Sequence, residues 1–204
     1  MQHNPYSFIL QTRKRTVTPA KKALQKAYLE LLKEYGYEEV NVKNLCQISH
    51  VARSTFYAYY SNMEEILAEM EDNLIRQLLD VNNQLIDKED STRGGVRVNH
   101  NTWKLIDENQ DCAKMFLSEK TDDQFMKKCK NVIRYQFWNR LDREHKSRNS
   151  EFFLEAIAAA VMSIYILGLE RATCERKKII LETDIIMSSI MRAVDLYAGS
   201  DEML

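Results

Sequence analysis

Apolar residues recur at helical spacing along nearly the whole chain. From Pro19 the stretch TPAKKALQKAYLELLKEYGY puts Leu24, Ala27, Tyr28, Leu31 and Leu32 on one face and its Lys and Glu residues on the other. Gly36 follows as a C-cap. Asn41 is placed to N-cap a second short helix, VKNLCQIS, with Val42, Leu45 and Ile48 on its buried side. His50 and Val51 lead into a third, ARSTFYAYY, which Ser61 and Asn62 break. Met63 then opens a long amphipathic helix, MEEILAEMEDNLIRQLLDVNNQLI, with Ile66, Met70, Leu74, Leu78 and Leu85 along one seam. The pattern predicts a compact three-helix head on a connecting rod.

The segment DKEDSTRGGVRVNH, with Gly94 and Gly95, reads as a loop. Beyond it, helices are expected near residues 97–109, 111–118, 121–146, 151–171 and 178–198. Only 5 Gly and 2 Pro occur, and no alternating β-branched run is bounded by turn residues, so strands have little support. The expected fold is all-α, with residues 1–62 as a head and residues 63–204 as a larger helical domain. A hydrophobic share of 45% with 29% charged residues is that of a globular protein with real cores.

Charge divides along the same line. Residues 1–62 carry nine Lys or Arg against four acidic residues, a balance of +5, and the rest carries −6, which together give the net −1. A basic head on an acidic body points to a polyanionic partner for the head. Cys46, Cys112, Cys129 and Cys174 are widely spaced with no CxxC pair, as in reduced cytoplasmic proteins. The start, MQHNPYSFIL, has no secretion-signal pattern. The apolar run FFLEAIAAAVMSIYILGLE approaches a membrane span in length but contains Glu155, Gly168 and Glu170, so a buried, interface-forming helix is expected and no membrane partner.

Two short helices joined by a tight turn, the second polar on one face, meet the requirement for entering a DNA major groove. In ARSTFYAYY, Phe56 and Tyr60 are one turn apart and would anchor the helix to the head with Val51. Arg53, Ser54, Tyr57 and Ala58 form the neighbouring stripes. Arginine gives bidentate bonds to a guanine edge, Thr55 suits a phosphate or a thymine methyl, and the Tyr57 and Tyr59 hydroxyls suit phosphates. Asn41, Lys43, Arg53, Ser54, Thr55, Tyr57 and Tyr59 are the expected DNA-binding residues.

The run GYEEVNVKNLCQISHVARSTFYAYYSNMEEIL resembles the DNA-binding head of the tetracycline-repressor (TetR-type) family, with matches at Gly36, Tyr37, Val42, Leu45, Val51, Thr55, Phe56, Tyr57, Tyr59, Glu64 and Leu67. The resemblance covers about the first third of the chain. It departs at His50, where the family has Gly; at Ala52, where it has a Ser N-cap; at Asn41, where it has Thr; and at Met63, where it has a phosphate-binding Lys. His50 means that the turn either avoids positive φ or adopts it at a cost. Arg13, Lys14 and Arg15 either restore charge against the phosphate backbone or form a solvated terminus.

The resemblance implies a transcriptional regulator, a repressor released by a small-molecule effector, that binds double-stranded palindromic operator DNA as a homodimer. The alternative keeps the fold with a second domain that answers to a protein partner or only dimerises. The helices near 151–171 and 178–198 are apolar on more than one face, which a two-fold four-helix interface would use. Trp103, Phe116, Tyr135, Trp138, Met162 and Tyr165, with Met115 and Phe137, are candidates to line an effector pocket, and each also suits ordinary core. No phosphate-cradling loop, paired-carboxylate pattern or nucleophile–base arrangement supports an enzyme, and no cofactor or metal is expected. His100 and His145 lack metal-ligand spacing and are expected at the surface.

Overall fold

The structure, a computed structural model, describes residues 4–12, 16–36, 40–83, 91–117, 123–141, 148–171 and 173–198. Among them there is no strand. A short 3-10 helix, Ser7–Gln11, precedes α1 (Pro19–Tyr35), α2 (Val42–Ser49), α3 (Arg53–Tyr59) and α4 (Met63–Asn83). Then come α5 (Ser91–Glu108), α6 (Gln110–Leu117), α7 (Asp123–Arg140), α8 (Arg148–Glu170) and α9 (Arg176–Ala198). Arg13–Arg15, Tyr37, Leu85 and His145 lie outside the described residues.

Two compact units result: Arg13–Leu74, and Met1–Thr12 together with Ile75–Leu204. The division falls inside α4, where the periodicity had suggested a boundary ahead of it at residue 62, because the seam through Ile66, Met70 and Leu74 is buried and continues the packing of the first unit. In that unit, α1 packs on α2 and α3 through Leu24, Ala27, Tyr28 and Leu31. Local signals mark the ends. Thr18 accepts from the Lys21 N–H and Pro19 sits at the first position of α1, while Gly36 at φ 74° closes it. Asn62 accepts the Glu65 N–H and Glu65 accepts the Ser61 N–H in return, a reciprocal cap at the start of α4.

Three expectations change here. Ile48 is 38% exposed and Cys46 is buried in its place, since positions 42, 45, 46 and 49 share one helical face and position 48 falls beside it. Lys21, read as solvent-facing, turns inward to a carboxylate. Of the segment read as a loop, residues 91–100 are the start of α5, and residues 87–90 lie outside the described residues. A Cβ on Gly95 would stand 3.0 Å from the Met187 carbonyl oxygen and from Met191 Cγ, so glycine here serves close approach of α5 to α9. Near the other end of α8 the same logic holds, where a Cβ on Gly168 would overlap the Trp103 ring.

The second unit is a helical bundle in which α5 packs extensively on α9, and α8 on α7 and α9. α8 is long and apolar enough to cross a membrane by composition. In the bundle it buries Leu154, Ile157, Ala158, Val161, Met162, Tyr165 and Leu169, which accounts for that composition by packing. Its outward stripe holds Phe152, Ala156, Ala160, Ser163 and Leu167. α9 likewise presents Leu181, Ile185 and Leu196 outward, each at least 66% exposed.

Candidate nucleic-acid interface

The exposed side of α3 is set by what its other side must bury. Phe56 and Tyr60 are 0% and 1% exposed, with ring centroids 5.9 Å apart. Arg53, Ser54, Ala58 and Tyr59 are exposed, Tyr57 is 60% exposed, and Thr55 is half-buried. Phe56 meets the Tyr57 ring edge-on at 5.1 Å, which orients a side chain that is otherwise in solvent. Asn41 and Lys43 at the start of α2 are exposed as well. The expected DNA-binding residues are therefore accessible, Thr55 in part, on the two consecutive helices of a helix-turn-helix.

The turn itself carries local cost. His50 ends α2 at φ 55°, ψ 26°, and is the sole non-glycine with positive φ among the described residues. The left-handed turn is kept without the glycine that adopts it freely. Asn41 caps α2 through its side chain, accepting the Asn44 N–H at 3.0 Å. Ala52 provides no side-chain cap to α3. Burial pushes the Cys46 thiol up from its ordinary value, and the Arg53 charge opposes that shift.

Beneath α3 lies a group that sequence reading missed. The Glu69 carboxylate is fully buried and accepts from Lys21 Nζ at 2.7 Å, Gln25 Nε2 at 3.2 Å and the Tyr60 hydroxyl at 3.2 Å. Lys21 also stands 5.5 Å and 5.3 Å from the Tyr59 and Tyr60 ring centroids. One carboxylate on α4 thus ties α1 to the end of the exposed helix. The available signal was an acidic residue inside the apolar seam of α4, between Ile66 and Met70.

The six candidate pocket residues take part in different contacts. Trp103 and Tyr165 meet edge-on at 5.1 Å in a buried polar network. There the Tyr165 hydroxyl donates to Asn99 at 3.2 Å, and Asn99 and Trp103 both donate to Thr183 Oγ1. Burial pushes the Tyr165 hydroxyl well above its ordinary value. Phe116 packs against Phe125, Trp138 against Tyr6, Tyr135 is half-buried and Met162 is buried in α8. An open groove of about 480 Å³ between α8 and α9 is lined by other residues, among them Leu167, Lys178 and Ile186. His100 is exposed and pairs with Asp184 at 2.9 Å.

The sequence pattern of the bacterial regulatory proteins of the tetR family matches residues 25–70. The chain is 30% identical over 76 residues to the HTH-type dhaKLM operon transcriptional activator DhaS of Lactococcus lactis, covering 37% of this chain and 40% of that protein. It is 34% identical over 67 residues to the HTH-type transcriptional regulator YxbF of Bacillus subtilis, covering 32% and 18%. The matched stretch thus spans less than half of either relative. Over most of its length the chain shares the fold of three solved structures. They are the dihydroxyacetone kinase operon activator DhaS (TM-score 0.52, 22% identity, 89% and 97% covered), a TetR-family regulator from Syntrophomonas wolfei (0.58, 14%, 91% and 97%), and PfmR from Thermus thermophilus (0.57, 16%, 87% and 94%).

Proposed function

We propose, from the premise that this chain belongs through its head to the tetR family of bacterial regulatory proteins, that it is a cytoplasmic, sequence-specific DNA-binding transcriptional regulator. The observation that carries the reading is the division of α3, with Phe56 and Tyr60 locked inward and Arg53, Ser54, Tyr57 and Tyr59 left to solvent. Arg53 reads a base edge, Tyr57, Tyr59 and Lys43 hold phosphates, and Asn41, Ser54 and Thr55 complete the surface.

The chain works as a homodimer on a palindromic operator. The outward apolar stripes of α8 and α9, with Phe152 82% and Ile185 70% exposed, support this, because paired with their copies they would form a four-helix interface. In the first reading it represses, and a small-molecule effector bound in the second unit releases it by favouring a conformation with wrong half-site spacing. A second reading, in which the second domain answers to a protein partner or only dimerises, is supported by the packing of Trp103 on Tyr165 and of Phe116 on Phe125 as buried core. That one relative is named an operon activator bears only on the sign of regulation.

Gel retardation with the chain's own upstream DNA tests the core claim. Salt-sensitive, sequence-specific binding that Arg53→Ala and Tyr57→Ala weaken is expected, and indifference to both substitutions would sink it. Loss of retardation on adding cell metabolites, against loss or gain on adding a protein fraction, separates the two signals.

A further inference from the structure

Within the first unit, α3 is too short to hold its own end. It has seven residues, Arg53–Tyr59, and no side-chain cap at its start, and a helix of that length needs tertiary contacts to persist. Tyr59 is its last residue, 37% exposed, and one of the residues proposed to hold a phosphate. An exposed tyrosine at a helix end has several rotamers open to it, and fixing one only on binding costs affinity.

Two other helices of the same unit supply what α3 lacks. Lys21 Nζ on α1 stands 5.5 Å from the Tyr59 ring centroid and 5.3 Å from that of Tyr60, and the two rings are 6.3 Å apart at a tilt of 60°, so one ammonium serves both. The ammonium is itself fixed. Its side chain is 12% exposed and donates to the fully buried Glu69 carboxylate of α4 at 2.7 Å. Glu69 is held in turn by the Tyr60 hydroxyl and by Gln25, one turn along α1 from Lys21. An ion pair that served only to fill a core could be exchanged for apolar side chains at little loss. This one aims its cation at a ring that is left partly in solvent.

We infer that Lys21 and Glu69 are positioning residues for DNA binding. The carboxylate fixes the ammonium, and the ammonium fixes the Tyr59 ring, so that the Tyr59 hydroxyl meets a phosphate already ordered. This rests on the regulator reading. The role differs from that of Lys43, because a cation that stays on its carboxylate forms a neutral pair and releases no counterion from DNA.

A paired substitution isolates the role. Lys21→Met with Glu69→Gln removes one positive and one negative charge, so the net charge of the head is unchanged and no buried charge is left alone. Operator binding by the full chain is measured by fluorescence anisotropy, with the pair introduced into the parent and into Tyr59→Ala. In the parent the pair should weaken binding about fivefold, the cost of one freed side chain, with the salt slope kept. In Tyr59→Ala it should have no further effect. Equal weakening in both backgrounds would reduce the pair to a structural role, and no weakening in the parent would overturn the positioning. A salt slope lowered by about 1 would place Lys21 on a phosphate instead.

A second measurement needs only the parent without DNA. Three-bond couplings across the Tyr59 Cα–Cβ bond should report a single rotamer, and averaged couplings would overturn the positioning. If the parent binds no DNA, the regulator reading fails, and the couplings still decide whether Tyr59 is held.

Discussion

The Tyr60 hydroxyl donates to the buried carboxylate of Glu69 at 3.2 Å, so the last aromatic of FYAYY is fastened by its polar tip as well as by its ring. Glu69 sits where an apolar residue would continue the α4 seam, and Lys21 and Gln25 compensate its charge and lone pairs. Removing Lys21 takes away the cation that stands 2.7 Å from a fully buried carboxylate. Lys21→Ala is expected to destabilise the head by about 3 kcal/mol, and Tyr60→Phe by about 1 kcal/mol. Urea unfolding followed by circular dichroism measures both, and equal effects would contradict the central role of the ion pair.

The turn between α2 and α3 contains two correctable costs. His50→Gly relieves a side chain at φ 55° and should stabilise by about 0.5–1 kcal/mol. Ala52→Ser supplies the missing cap of α3 and should add about 1 kcal/mol. The two sites are neighbours, so a double variant need not be additive. A melting temperature lowered by both substitutions would show that the turn differs from the one described.

Operator affinity should divide by role. Lys43→Ala is expected to weaken all sequences alike and reduce the salt slope by about 1, whereas Arg53→Ala should cost about 1–3 kcal/mol and relax preference at one base pair. Fluorescence anisotropy at several salt concentrations separates these. Identical salt slopes for Lys43→Ala and the parent would remove Lys43 from the phosphate contacts.

Glutamate in the outward stripe of α9 should break self-association. Leu181→Glu with Ile185→Glu places two charges where both side chains are now at least 66% exposed, so the fold of the single chain is not threatened. Sedimentation should change from dimer to monomer with helix content retained. A parent protein that sediments as a monomer at micromolar concentration would refute the dimer.

Thiol labelling reports the second unit. Burial pushes the Cys112 thiol up to about 11, whereas Cys174 is exposed. At pH 8 about one Cys112 in a thousand is thiolate, so maleimide should modify Cys174 well before Cys112. Because the folded value exceeds the unfolded one, this group's contribution to stability is present below pH 9 and is lost as pH rises toward about 11. Equal labelling rates, read by mass spectrometry, would count against the packing around α6.

Periodicity and capping chemistry act within a few residues, and this is why α1 to α4, Gly36, the Asn41 cap and the Phe56/Tyr60 anchor pair were all readable before the fold was known. Glu69 was not readable in the same way. Two of its partners, Gln25 and Lys21, lie 44 and 48 positions away on α1, and nothing in its own helix shows that they converge.

What the chain alone determined, then, is the helical character, the head and the two-sided α3, since each depends on side chains three or four positions apart. Tertiary structure decided the rest. Gly95 became a packing residue because α9 comes within 3.0 Å of where its side chain would be, and residues 4–10 became a docked segment because α7 and Arg76 provide their partners. A glycine or a short polar terminus is compatible with many backbones, and only contact with distant helices selects one.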